Sequence, residues 1–265
     1  MKELLVRALS GFIYVALLLL SIYISKYTFI GFILLLGIIC IAEFSKLVKI
    51  KPFLLLITFL LFIYLFHFIV LPCYILYALL AVILIINILL IYDLLRNKQS
   101  TSCFYFLYPI GGLLFVTLIP ITHTGYVPHL ITGVFLLIWI NDIFAYLVGK
   151  SIGKTKLAPK ISPNKTIEGF AGGFIASCIV SMLIYKYIPI NNSIFVWWFW
   201  LLLAIIICIF GTLGDLIQSK FKRQAGVKDS GNLIPGHGGI FDRLDSIVFS
   251  ASFVYLYLIL FANVS

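Results

Sequence analysis

The chain has 265 residues, 63% of them hydrophobic and 11% charged, with a mean hydropathy of +1.18 and a formal net charge of +10. That composition excludes a water-soluble globule, which carries about 25% charged residues, and describes a polytopic membrane protein. Excess base would suit nucleic acid in a soluble chain, but membrane topology and anionic headgroups account for it here, so no nucleic-acid partner is expected.

In hydrocarbon every backbone polar group must find its partner within its own segment, so the apolar runs are expected to be helices. The expected fold class is all-α, a transmembrane helical bundle without a sheet. Nine spans are expected near residues 4–25, 27–45, 52–71, 73–92, 103–121, 128–148, 167–188, 194–217 and 244–263. With a cytoplasmic N-terminus, all 19 lysines and arginines except Lys26 and Lys186 fall on the inner side. This bias follows the positive-inside rule and puts the C-terminus outside. Lys2 and Arg7 before an apolar run resemble a signal peptide, but no small-x-small pattern precedes Lys26, so the run is read as an uncleaved span.

Residues 1–100 are read as scaffold spans, with Glu43, His67 and Asn87 their few polar groups. Glu43 is expected to pair with Lys46 at the interface, His67 to pack near a span end, and Asn87 to donate a hydrogen bond between helices. Residues 101–265 are read as the functional region, with cytoplasmic loops at 149–166 and 218–243. Pro109, Gly111, Gly112 and Pro120 predict a broken or closely packed helix. Asp142 lies at membrane depth, where a charge is costly, so a functional or ion-paired polar cavity is expected around it. The five cysteines stand singly in apolar runs and read as packing residues.

The loop before the seventh span holds Lys150, Lys154, Lys156, Lys160 and Lys165, with no acid until Glu168. Ser162 or Thr166 could cap the following helix, with Glu168 favoured in its first turn; a phosphate site is compatible with that capping. Gly169 and Gly173, four apart, predict a close helix contact.

The densest charge lies at 215–245, where four of the nine acids and five of the nineteen bases occupy 31 residues. Asp215 closes the eighth span, and Asp242 and Asp245, three apart, share a face where the ninth begins. Carboxylates so gathered repel unless neutralised, and oxygen ligands without a His/Cys cluster favour magnesium. Helix capping by Asp242 with salt bridges to Arg243 and Lys220 is the alternative. Lys222, Arg223 and Lys228 precede a glycine-rich run, Gly231 to Gly239, that leads into a helix N-terminus. Such a run can aim backbone N–H groups at phosphate. His237 either donates to a phosphate or shapes the turn.

The run Ser219-x-Phe221-Lys222-Arg223-x4-Lys228-Asp229-x-Gly231-x2-Ile234-Pro235-x-His237-Gly238-Gly239-Ile240-x-Asp242-Arg243-Leu244-Asp245 resembles the signature of the phosphatidate cytidylyltransferase (CDP-diacylglycerol synthase) family. The likeness extends back through Ser162-Pro163-x-Lys165-Thr166-x-Glu168-Gly169 and the Asp142, Tyr146, Gly149 region, covering roughly residues 139–250. Asn164 departs from it, since a second lysine is usual there. The resemblance implies CTP plus phosphatidic acid giving CDP-diacylglycerol and pyrophosphate, a homodimer, and a cytoplasm-facing site in the plasma (inner) membrane. It implies Asp215, Asp242 and Asp245 as ligands of one or two magnesium ions, and catalytic roles for these with Lys222, Arg223, Lys228 and Asp229. Asp142, Ser162, Lys165, Thr166, Glu168, His237, Gly238, Gly239 and Arg243 would bind substrate. A CTP-dependent transferase or kinase for a polyprenol-type lipid, or a transporter, stands as the rival.

Overall fold

A computed structural model describes residues 2–96, 98, 103–123, 125–188, 195–233 and 238–262. Among these the chain forms nine α-helices: α1 (Lys2–Ile24), α2 (Lys26–Val48), α3 (Pro52–Phe68), α4 (Cys73–Leu95), α5 (Leu107–Leu118), α6 (Pro128–Ile152), α7 (Ile167–Tyr187), α8 (Trp197–Gln224) and α9 (Phe241–Ala262). Six of them, α2, α4 and α6–α9, are long and apolar enough to cross a membrane; α3 and α5 are shorter apolar helices. The all-α membrane class therefore holds.

Local chemistry sets the helix starts. Ser25 ends α1 and caps α2 by accepting from Thr28 N, while the Thr28 hydroxyl accepts from Ser25 N. Thr166 caps α7 by accepting from Gly169 N at 3.1 Å. Pro109 does not break α5, because it stands in the first turn, where a missing N–H leaves no hydrogen bond unmade.

α5 is the centre of the bundle, buried from Tyr108 to Leu118. Gly111 packs on Ile83 of α4 and Gly112 on the Val248 carbonyl of α9, a closeness that a side chain would prevent. α3 and α4 face outward with large apolar groups such as Phe53, Tyr74 and Ile85 exposed. Asn87 Nδ2 donates to Ser252 Oγ at 2.9 Å, joining α4 to α9 as expected of it, and His67 meets Thr117 Oγ at 2.8 Å. Glu43 does not pair with Lys46. It is buried and turned toward α9, because α2 meets α9 there and offers it backbone donors.

The expected loops are shorter than 149–166 and 218–243. α6 runs to Ile152 and α8 to Gln224, so Ser219, Lys222 and Arg223 ride on a continuous helix. Two short antiparallel pairs also form, β1 (Ile121–Thr122) with β2 (Gly125–Tyr126), and β3 (Lys156–Ala158) with β4 (Ser162–Thr166). The expectation of no sheet fails there because these segments connect helices, where an open strand edge is not confined to hydrocarbon.

Gly173 holds α7 against the Asn141 carbonyl of α6, next to Asp142. Gly173→Val is expected to push the two helices apart and destabilise the protein by about 1–3 kcal/mol, read as a lower melting temperature in detergent. An unchanged melting temperature would show that this contact does not constrain the bundle.

Candidate functional site

The site lies at the end of the bundle where the C-termini of α2, α6 and α8 meet the N-termini of α7 and α9. On α8, Asp215, Ser219 and Lys222 recur at helical spacing along one face. Gly214 beside them lies against Phe249 and the Asp245 carbonyl, so α9 packs close and brings Asp245 toward Asp215. Asp142 and Asp245 both sense the negative charge of Asp215, and Lys165 opposes it at each. Lys165 Nζ lies 2.5 Å from Asp215 Oδ2, pairing β4 with α8.

These groups line one end of a cavity of about 590 Å³. Its other walls are apolar and aromatic: Tyr14 and Val15 from α1, Ile138 and Trp139 from α6, with Phe170 and Leu157. At the opposite end of the bundle α1 is tied down, Tyr23 Oη meeting His129 Nδ1 at 3.1 Å and Tyr126 Oη donating to the Ile22 carbonyl at 2.9 Å. Both helices also line the cavity, through Ser10, Gly11, Tyr14 and Val15 of α1 and residues 135–146 of α6. The lining thus offers charged groups and apolar side chains to the same occupant.

The carboxylates differ in how fully they are used. Asp242 is saturated: Oδ1 takes Lys222 Nζ at 2.6 Å, and Oδ2 accepts from Ser230 N at 2.8 Å, Ser230 Oγ at 2.9 Å and Gly239 N at 3.0 Å. Its side chain and that of Lys222 are 7% and 12% exposed, so the pair is enclosed. Asp245 Oδ1 accepts from Ser246 N at 2.7 Å, and Asp142 Oδ1 lies 3.5 Å from Asn141 Nδ2; the second oxygen of each has no hydrogen bond among the described residues.

No cluster of three or more His, Cys, Asp or Glu ligands is assembled among the described residues. The arrangement fits a cation that takes one or two carboxylates and completes its shell with water and phosphate, which is how magnesium binds. Asp215 and Asp245 both line the cavity and could take that part, while Asp242 is held by the loop before α9.

Of the remaining expected residues, Thr166 and Arg243 line the cavity, as does Asn164. Ser162 lies in β4, away from the lining. Glu168 turns to Thr155 N, at 3.0 and 3.1 Å, and fastens the start of the β3–β4 hairpin. Arg223 donates to the carbonyls of Ile161 and Val227, joining α8 to that hairpin. Lys228 and Asp229 are exposed. Gly238 adopts φ +81°, the left-handed region that favours glycine, and Gly239 donates to Asp242. Pro235, Gly236 and His237 lie outside the described residues. Lys220 turns away, buried and facing Asp93 of α4.

Sequence reasoning missed Tyr14, Trp139 and Glu43. The pattern Ser10-Gly11-x2-Tyr14 offered a signal for the first, a small polar face spanning five residues within the apolar run of α1. Glu43, an acid within an apolar helix, offered another.

The profile of the cytidylyltransferase family matches residues 5–261. A phosphatidate cytidylyltransferase of Staphylococcus haemolyticus is 54% identical over 121 residues, which cover 46% of this chain and 45% of that protein. Those of Staphylococcus saprophyticus and Staphylococcus aureus are 50% and 51% identical over matches of the same extent. The matched stretch thus spans less than half the length of these relatives, while the family profile covers nearly all of this chain, and the chain belongs to the cytidylyltransferase family.

Proposed function

We propose that this protein transfers the cytidylyl group of CTP to phosphatidic acid, giving CDP-diacylglycerol and pyrophosphate. The observation that carries the reading is the cavity itself, which carboxylates and cations line together with aromatic and aliphatic side chains. Family membership supports the nucleotide, and the names of the Staphylococcus relatives support the lipid acceptor. The basic bias of the inner segments supports a site facing the cytoplasm of a plasma membrane, and the family likeness supports a homodimer.

In this mechanism the phosphate of phosphatidic acid lies at the charged end while its acyl chains follow the walls set by Tyr14, Val15, Ile138 and Trp139. A phosphate oxygen attacks the α-phosphorus of CTP, forming a P–O bond as the bond to the bridging β-phosphate oxygen breaks and pyrophosphate leaves. Lys165 and Arg243 neutralise the anionic groups, and Lys222 acts through Asp242 by holding the α8–α9 segment. Asp215 and Asp245 would hold one or two magnesium ions, which when bound supply charge neutralisation along the phosphates. Because the nucleophile is already anionic at neutral pH, positioning and charge stabilisation carry the rate without a strong base.

The test is pyrophosphate release by full-length protein in detergent with CTP, magnesium and phosphatidic acid, with ATP and lipid-free controls. Release that requires both CTP and phosphatidate is expected; release with CTP alone, or none, overturns the reading. Asp215→Asn and Asp245→Asn are each expected to lower kcat at least about 100-fold, near 2.7 kcal/mol. The melting temperature of Asp245→Asn should hold or rise, since one of several repelling carboxylates is gone, whereas Asp215→Asn leaves Lys165 unpaired and should lower it; a shared fall of activity and melting in Asp245→Asn would make its role structural. Lys165→Met should cost about 10–100-fold in kcat/KM by leaving Asp215 unpaired. Wild-type kcat/KM in that variant would remove Lys165 from the site.

A further inference from the structure

We infer that Glu43 of α2 is a positioning residue for the α8–α9 site, its carboxylate fixing the segment that presents Asp242, Arg243 and Asp245. The inference rests on the transferase reading for its kinetic part only.

Glu43 is 7% exposed, and no lysine or arginine forms an ion pair with it among the described residues. A carboxylate so placed must be stabilised by hydrogen bonds. It accepts from Phe241 N at 2.9 Å and Ile240 N at 3.2 Å, the amides that open α9, where the helix dipole favours negative charge. Ser230 Oγ lies 2.8 Å from Glu43 and 2.9 Å from Asp242, so one hydroxyl bridges the two carboxylates. Lys222 holds Asp242 from the other side. The connected set Glu43–Ser230–Asp242–Lys222 therefore ties α2, the loop, α9 and α8 together in the turn before Asp245.

Two glycines show how tightly the loop is moulded on Glu43. A Cβ at Gly231 or Gly239 would fall on its carboxylate, and one at Gly239 would also meet the Ser230 hydroxyl. The backbone thus approaches an anion as the glycine-rich sequence suggests, but the anion at these two positions is the protein's own. Beneath it Phe44, the next residue on α2, packs edge-on against Phe221 of α8 and Phe241 of α9, with centroids 5.4 and 5.5 Å apart. This apolar floor gives the helices a contact that does not depend on Glu43, so the loop can loosen while the bundle stays folded.

The experiment compares wild type, Glu43→Gln and Glu43→Ala as full-length protein in detergent. Trypsin cleavage at exposed Lys228 reads the loop whether or not CTP is turned over, so a failed transferase reading does not touch this arm. Cleavage is expected to quicken about 3-fold in Glu43→Gln, which keeps one acceptor oxygen, and about 10-fold in Glu43→Ala. Per folded protein, kcat should fall about 10-fold and 100-fold, and the magnesium concentration for half-maximal rate should rise, with KM for phosphatidate within about 2-fold because α1 and α6 wall its cavity. Should Glu43→Ala not fold, Ser230→Ala cuts the same bridge and should give both effects at about the size seen in Glu43→Gln. Cleavage and kcat per folded protein unchanged in Glu43→Gln and Ser230→Ala would overturn the inference. Lost stability with unchanged kcat and magnesium dependence would overturn it too, leaving Glu43 only a structural group.

Discussion

Charge at membrane depth must be balanced within the protein, and that constraint organises everything near the cavity. Asp142, Asp215 and Asp245 share one cavity with Lys165 and Arg243, and a lone carboxylate among them would be expensive to keep ionised away from water. The balancing partners come from distant parts of the chain. Lys165 arrives on the β3–β4 hairpin, Asp215 on α8, Lys222 and Asp242 on α8 and α9. Breaking the enclosed Lys222–Asp242 pair by removing one partner would cost about 3–5 kcal/mol, and the more exposed Lys165–Asp215 pair less, so each pair also helps fix where its two elements lie.

Those pairs form only because the helices come close enough. Gly214 lets α9 lie on α8 beside Asp215, Gly112 lets α5 meet the α9 backbone, and Gly173 brings α7 onto α6 beside Asp142. In a membrane apolar faces do not drive helices together as they do in water, and close packing of small residues takes over much of that task. Glycine placement thus precedes the electrostatics: it sets the helix separations at which a lysine amine reaches a carboxylate.

Much of this was legible in the sequence. Apolar runs located most of the helices within a few residues, Thr166 was one of the two caps expected for α7, and the charge density of 215–245 pointed to the candidate site. What resisted reading was direction. Hydropathy does not say which way a side chain turns, so Lys220 and Lys222 look alike in a basic run although one faces Asp93 and the other Asp242. Glu43 looked interfacial because Lys46 stands one turn away; its true partners lie about 190 residues further along and depend on how α2 meets α9. The extent of α8 was misjudged because polar residues from Ser219 onward suggested a loop, whereas they lie along the last turns of a helix whose interior Phe221 still packs on Phe44.

Hydrogen-bond saturation, more than motif position, separates the roles of the acids. Asp242 has both oxygens filled by Lys222 and by the Ser230 and Gly239 amides, with the Ser230 hydroxyl shared between it and Glu43, so recruiting it as a cation ligand would cost contacts already made and release the loop they hold. Glu43 is filled in the same manner. Asp245 and Asp142 each keep an oxygen without a hydrogen bond among the described residues, whereas Asp215 meets Lys165 through Oδ2 and accepts from Ser219 Oγ at 3.3 Å through Oδ1. A group with unfilled acceptor capacity facing a cavity gains by meeting a cation or a donor there, whereas a saturated one gains nothing. By this measure Glu43 and Asp242 serve the fold, Asp142 and Asp245 keep an acceptor free beside the cavity, and Asp215 stands between them with one weak contact and one lysine, a division that follows from which atoms the fold has already satisfied.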